Sequence, residues 1–193
     1  MAETEKVKRG LLGCPGLAPP APGRCRFGTL NCQGITGKVS EIIDLFNANH
    51  LNILGLQEVR MRPENIAALR RAVEKAGLKL YIDAKDCATN AQGQAAHGVA
   101  IIANHPLALD RNPLKKRYPG RSLFARVHVP RRRPLRLGIP YHDATSAANA
   151  EDQAGAMMKH LLEMGDAAVA MGDWNRVKEE PPFATALAHN SLI

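Results

Sequence analysis

A layered α/β fold is predicted by three features of the 193-residue sequence: short runs of Val, Ile, Leu and Ala, helical apolar stripes between several of them, and turn residues at the junctions. Apolar residues make up 45 % of the chain, which excludes a disordered polymer and supplies one substantial core. The length suits a single main domain rather than two.

Residues 10–24, GLLGCPGLAPPAPGR, have no steady period, so residues 1–25 read as an irregular leader and 26–193 as the domain. FGTLNC at 27–32 reads as a strand, with a turn at Gly34 to Gly37. Val39, Ile42, Ile43 and Phe46 then recur on one face of a helix over 39–50. Leu51 to Gln57 is a short apolar strand ending on polar Gln57 and Glu58. Pro63 can open the next helix, where its missing amide proton is no loss. Ile66, Leu69, Val73 and Ala76 form that helix's buried stripe, and Gly77 stops it. Strands follow at 78–83, 98–104 and 122–129, and LRLGIPY supplies another, with Pro140 at a strand end or sheet edge. Ala154, Met157, Met158, Leu161 and Leu162 stripe a helix over 149–164. Gly165 ends it, and DAAVAMGDWN carries the last core strand into a polar loop.

Cys14, Cys25, Cys32 and Cys87 form no close pair, which argues against a structural zinc site or disulfide scaffold and for reduced thiols in an intracellular setting, nuclear or cytoplasmic. No apolar run is long enough to insert in a membrane, and the first residues lack a secretory pattern. The formal charge is +8, and residues 111–136 hold ten Lys or Arg and no acid. Such a run attracts a polyanion or simply promotes solubility.

Three junctions put oxygen-bearing side chains just beyond apolar strands: TLNCQG with Asn31, LGLQEVR with Glu58, and VAMGDWN with Asp173 and Asn175. If the strands converge at one sheet edge, these oxygens suit a hard divalent cation. Taken singly, each junction has an ordinary explanation, with the asparagines forming turns and the acids meeting local donors or cations.

Together the junctions resemble the superfamily of pancreatic deoxyribonuclease, the exonuclease III type of abasic-site endonucleases, the non-LTR retrotransposon endonucleases, and the inositol and sphingomyelin phosphodiesterases. The resemblance runs from Phe27 to Asn175 and is carried by QE at 57–58, HGVAIIAN at 97–104, LGIPYHD at 137–143 and GDWN at 172–175. It implies a four-layer α/β/β/α sandwich and a Mg2+- or Mn2+-dependent phosphodiesterase. Glu58 would hold the cation, Asn31 would support the cation and phosphate, and Gln33 would reach the metal through water. Asp173 would orient or deprotonate the attacking water, Asn175 would hold phosphate or the aspartate, and the phenol of Tyr141 would stabilise phosphate charge. His97 and His142 are candidate substrate contacts, each with an ordinary alternative: His97 as a structural residue, His142 as a surface histidine at a strand end.

The resemblance also implies further strands after GDxN and a closing SDH motif, whereas 18 residues follow Asn175 here and His189 lacks the preceding Ser and Asp. The expectation is therefore a truncated domain, with a protein partner or self-association covering the incomplete sheet. Nucleic acid, DNA foremost, is the expected substrate, with Lys115, Lys116, Arg117, Arg121, Arg131, Arg132, Arg133 and Arg136 as its phosphate-binding surface. The alternatives are a phosphoinositide or other phosphoester hydrolase, and a catalytically impaired binding or assembly fragment.

Overall fold

The computed structural model describes residues 20–21, 24–82, 87–89, 95–110, 118–128, 133–142, 147–163 and 167–173. Their elements, in chain order, are β1 (Phe27–Asn31), α1 (Val39–Ala48), β2 (Ile53–Gln57), a 3-10 turn (Pro63–Asn65) running into α2 (Ile66–Lys75), β3 (Lys79–Tyr81), β4 (Ala88–Thr89), β5 (Ala95–Ala96), β6 (Val99–Ala103), β7 (Leu107–Leu109), β8 (Ser122–Val127), β9 (Leu135–Pro140), α3 (Ala147–Leu162) and β10 (Ala167–Ala170).

Two four-stranded sheets result, ordered β1-β2-β6-β3 and β10-β9-β8-β7. Each contains one parallel pair: β1 with β2, where Asn31 opposes Gln57, and β9 with β10. Parallel neighbours need a crossover, and here α1 links the first pair and α3 the second. The remaining pairings within these sheets are antiparallel.

Period-2 alternation sorts the apolar side chains into layers. Leu54, Leu56, Ala100 and Ile102 face outward from the first sheet, beneath Ile42 and Phe46 of α1 and Ile66, Leu69 and Val73 of α2. Ile53, Val99 and Ile101 face the other way and meet Leu123, Ala125, Leu137 and Ile139 of the second sheet. Phe124 lies on the outer face of that sheet, under Met157 and Leu161 of α3. The fold is thus the expected α/β/β/α sandwich. Gly55 lets the sheets approach closely, since a Cβ there would lie 2.7 Å from Ile139 Cδ1.

Two of the three predicted helical stripes overrun. Ala76 and Leu162 are exposed, because each lies at the end of its helix, past the last turn packed on the sheet. Gly77 stops α2 as expected, with φ at +75°. Pro140 occupies the last position of β9, where a missing amide proton does not interrupt the ladder. Residues 1–19 and 22–23 of the 1–25 leader, and Gly165, lie outside the described residues.

Candidate functional site

The two parallel pairs aim their C-terminal ends at the same place. Asn31 closes β1 and Glu58 follows β2. Beyond β9 and β10 the parallel register continues as a bridge between Tyr141 and Asp173, with Asp173 N donating to Pro140 O at 3.2 Å and His142 N donating to Asp173 O at 3.0 Å. Gly172 is required just before that bridge, because a Cβ would fall 2.1 Å from Pro140 O.

The side chains meet across the sheets. Asn31 Nδ2 donates to Glu58 Oε1 at 2.9 Å and to Asp173 Oδ2 at 2.8 Å, so one amide group spans both carboxylates. Tyr141 Oη donates to the same Glu58 Oε1 at 3.0 Å. The other oxygen, Oε2, is paired with the guanidinium of Arg60. Partial burial would raise the Glu58 carboxyl, but hydrogen bonds from Asn31 and Tyr141 and the charge of Arg60 outweigh it and hold the group below its ordinary range. Burial, and then the carboxylate of Glu58, push the Tyr141 phenol up to about 12.

A second ring of contacts fixes Tyr141. The Arg121 guanidinium lies 4.9 Å from the centre of the Tyr141 ring, its Nη1 donates to His142 O at 3.2 Å, and its Nη2 sits 3.3 Å from His97 Nε2. Gln153 of α3, 1 % exposed, donates through Nε2 to the carbonyls of Arg121 and Tyr141, each at 3.2 Å. Backbone bonds knit the surrounding loops, including Gly34 N to Glu58 O at 2.7 Å and Arg60 N to His97 O at 2.7 Å. Gln33, Glu58, Arg60 and His97 all have positive φ, a conformation that costs a non-glycine residue and that packed surroundings must enforce.

The structure thus brings together Asn31, Glu58, Tyr141 and Asp173, with His97 and Arg121 beside them. Gln33 is exposed and meets the group through its backbone, its N donating to Asn31 Oδ1 at 3.2 Å. His142 is not a surface histidine: it is 1 % exposed, because the bridge between Tyr141 and Asp173 draws its segment inward. Arg136 does not join an exposed basic surface either. Its side chain is 5 % exposed and ion-paired with Asp110 at 3.0 Å, since alternation along β9 turns it to the sheet's outer face. Arg133 is exposed but precedes β9, at the end of the strand away from Tyr141. Asn175, Lys115, Lys116, Arg117, Arg131 and Arg132 lie outside the described residues.

Sequence reasoning missed Arg60 and Gln153. Gln153 carried a signal, being a polar residue four before Met157 on the apolar face of α3. Arg60 carried only its proximity to Glu58.

Several solved structures share this architecture. An AP endonuclease from Archaeoglobus fulgidus superposes with a TM-score of 0.56 at 20 % identity, over 82 % of this chain and 60 % of that one. The 3′ phosphatase NExo from Neisseria, bound to a product DNA hairpin, gives 0.57 at 17 %, over 79 % and 58 %. ANGEL2, a 2′,3′-cyclic phosphatase, gives 0.55 at 15 %, over 74 % and 44 %. This chain therefore spans 60 % or less of the length of these three proteins. No curated protein matches it in sequence. The Endonuclease/Exonuclease/phosphatase family profile matches residues 28–193, a stretch that holds every strand of the sandwich but the first residue of β1, and the chain belongs to that family.

Proposed function

We propose that this edge of the sandwich hydrolyses phosphodiesters in nucleic acid, DNA foremost, as an intracellular endonuclease dependent on Mg2+ or Mn2+. One observation carries the reading: side chains from positions 31, 58, 141 and 173 meet within hydrogen-bonding distance although they come from both sheets. A structural role alone does not ask for two carboxylates converging on one amide at a strand edge, where like charges repel.

The donor set fits a hard cation, which takes oxygen ligands. Among the described residues no three His, Cys, Asp or Glu side chains cluster, so Glu58 would be the principal ligand, supported by Asn31 and, through water, Gln33. When bound, such an ion polarises a phosphoryl oxygen and offsets charge developing in the transition state. The protein's own groups do the rest. Asp173 accepts a proton from water as its oxygen attacks phosphorus in line with the departing ester oxygen, so that one P–O bond forms as the opposite one breaks. Asn31, already bonded to Asp173, orients that carboxylate. Tyr141 keeps its proton at neutral pH and can turn from Glu58 to a phosphate oxygen. Arg121 and His97 offer cationic and polar contacts to the flanking backbone. The backbone of His142 ties Asp173 and Arg121 to this edge, and Asn175 is assigned to phosphate through the GDxN resemblance.

The test is cleavage of an end-labelled duplex by the full chain with Mg2+ or Mn2+. Glu58→Gln and Asp173→Asn should each lower the rate by about a hundredfold or more, and EDTA should abolish cleavage. Metal-independent cleavage, or parental rates in both variants, would reject the assignment. Because one structural neighbour is described as a 2′,3′-cyclic phosphatase, a cyclic phosphate and a phosphoinositide belong in the same assay. Turnover of either without duplex cleavage would select a phosphoester substrate instead.

A further inference from the structure

The face of β2 that meets the second sheet ends on a polar residue. Ile53, Gly55 and Gln57 alternate onto that face, and Gly55 packs against Ile139 of the second sheet. Both strands run toward the catalytic edge, so the next residues on the same two faces are Gln57 and Tyr141. Register sets Gln57 between Asn31 of β1 and Val99 of β6.

Gln57 is 1 % exposed, yet half of its amide is unused. Thr29 Oγ1 donates to its Oε1 at 3.1 Å, whereas the buried Nε2 meets no acceptor among the described residues. A donor buried in this way costs stability, and an apolar side chain of the same size would remove the cost. Its complement lies on the facing strand. Tyr141 Oη gives its one proton to Glu58 Oε1 and, among the described residues, accepts from none.

We propose that Gln57 is a positioning residue for Tyr141: its Nε2 donates to Tyr141 Oη once the phenol has turned from Glu58 to a phosphate oxygen. The inference rests on the phosphate contact assigned to Tyr141 above. A hydroxyl has one proton and two lone pairs, so a donor at a lone pair fixes the oxygen and leaves its proton for the phosphate. It also polarises the O–H group and strengthens that second bond. An amide suits the task because it is neutral. A cationic donor in its place would compete with a metal ion for Glu58, as a guanidinium does.

The experiment reads phosphate affinity without turnover. Inorganic phosphate is titrated into the full chain with Mg2+ present, and the heat of binding is followed for the parental chain, Gln57→Met, Tyr141→Phe and the double variant. Gln57→Met should weaken binding by about three- to tenfold, and the double variant should bind no more weakly than Tyr141→Phe alone. The urea midpoint of Gln57→Met should equal or exceed the parental value, because the unpaired donor is gone. Should that variant fold poorly, Thr29→Val decides instead: it changes an exposed position, releases the Gln57 amide, and should weaken binding only while the Tyr141 hydroxyl is present. Parental affinity in the folded variant, or an equal loss with and without that hydroxyl, overturns the inference, as does absence of phosphate binding by the parental chain. The expected pattern without duplex cleavage would reject the hydrolytic reading and leave this one standing. Cleavage with parental phosphate affinity in Gln57→Met would do the reverse.

Discussion

Every oxygen of Glu58 is engaged: Asn31 and Tyr141 hold Oε1, and Arg60 holds Oε2. Because the folded carboxyl sits below its ordinary range, these contacts stabilise the fold above that range and are lost as pH falls through the lowered value. Tyr141 shifts the other way, and its donor proton is lost only as pH rises toward about 12. Arg60 differs from the other two partners in being a cation, so it competes with any metal ion for the same carboxylate. Its side chain is 50 % exposed while that of Glu58 is 13 % exposed, and solvent weakens such a pair to about 1 kcal/mol or less. Arg60→Gln should therefore tighten Mn2+ binding by up to about fivefold, as read by electron paramagnetic resonance of free Mn2+. Glu58→Gln should remove the binding altogether. Weaker Mn2+ binding in Arg60→Gln would mean that the guanidinium holds Glu58 in place and does not compete with the ion.

Asp173 is placed by the end of an element. It follows β10 by three residues and is held by its bridge to Tyr141. Gly172 makes the bridge possible, since a Cβ there would lie 2.1 Å from Pro140 O and 2.8 Å from Pro140 Cδ. Neither obstacle is the flexible end of a side chain. Gly172→Ala should push the two strand ends apart, cost about 1–3 kcal/mol in denaturant unfolding, and lower cleavage although Asp173 itself is intact. Parental activity with parental stability would show that the bridge does not position the carboxylate. Elements of this kind were readable in part. An apolar run ending abruptly on a polar residue marked Asn31, Glu58 and Asp173 as strand tips, because alternation and burial leave a strong pattern. The convergence of those tips was not readable, because periodicity carries no strand order. The fate of Arg136 was hidden for a related reason. Alternation along LRLGIPY puts it on the face opposite Leu135, Leu137 and Ile139, but only the tertiary fold reveals that Asp110 and α3 cover that face. The surface alternative for His142 stood open because Asp173, whose carbonyl accepts from its backbone N–H, lies 31 positions later.

At the scale of the molecule, the site exists because two strand–helix–strand units, one in each sheet, face each other across a shared core. The spacing between the sheets then sets whether Tyr141 Oη reaches Glu58 Oε1. β2 and β9 are interior strands of their sheets, and they touch where Gly55 meets Ile139. A Cβ at Gly55 would lie 2.7 Å from Ile139 Cδ1 and 3.2 Å from its Cγ2. Because Ile139 is fully buried, its side chain cannot swing into solvent to make room. Gly55→Ala alone should overpack the interface and cost about 1–3 kcal/mol. Ile139→Val alone removes Cδ1 and should cost about 1 kcal/mol through the space it leaves. Combined, the added methyl occupies part of the vacated volume, so the double variant should be more stable than the sum of the two losses by about 1 kcal/mol. Urea unfolding of the four proteins measures that coupling. Strict additivity would mean that the contact between Gly55 and Ile139 does not set the sheet separation, and the distance between Tyr141 and Glu58 would then have to be fixed by the loop hydrogen bonds instead.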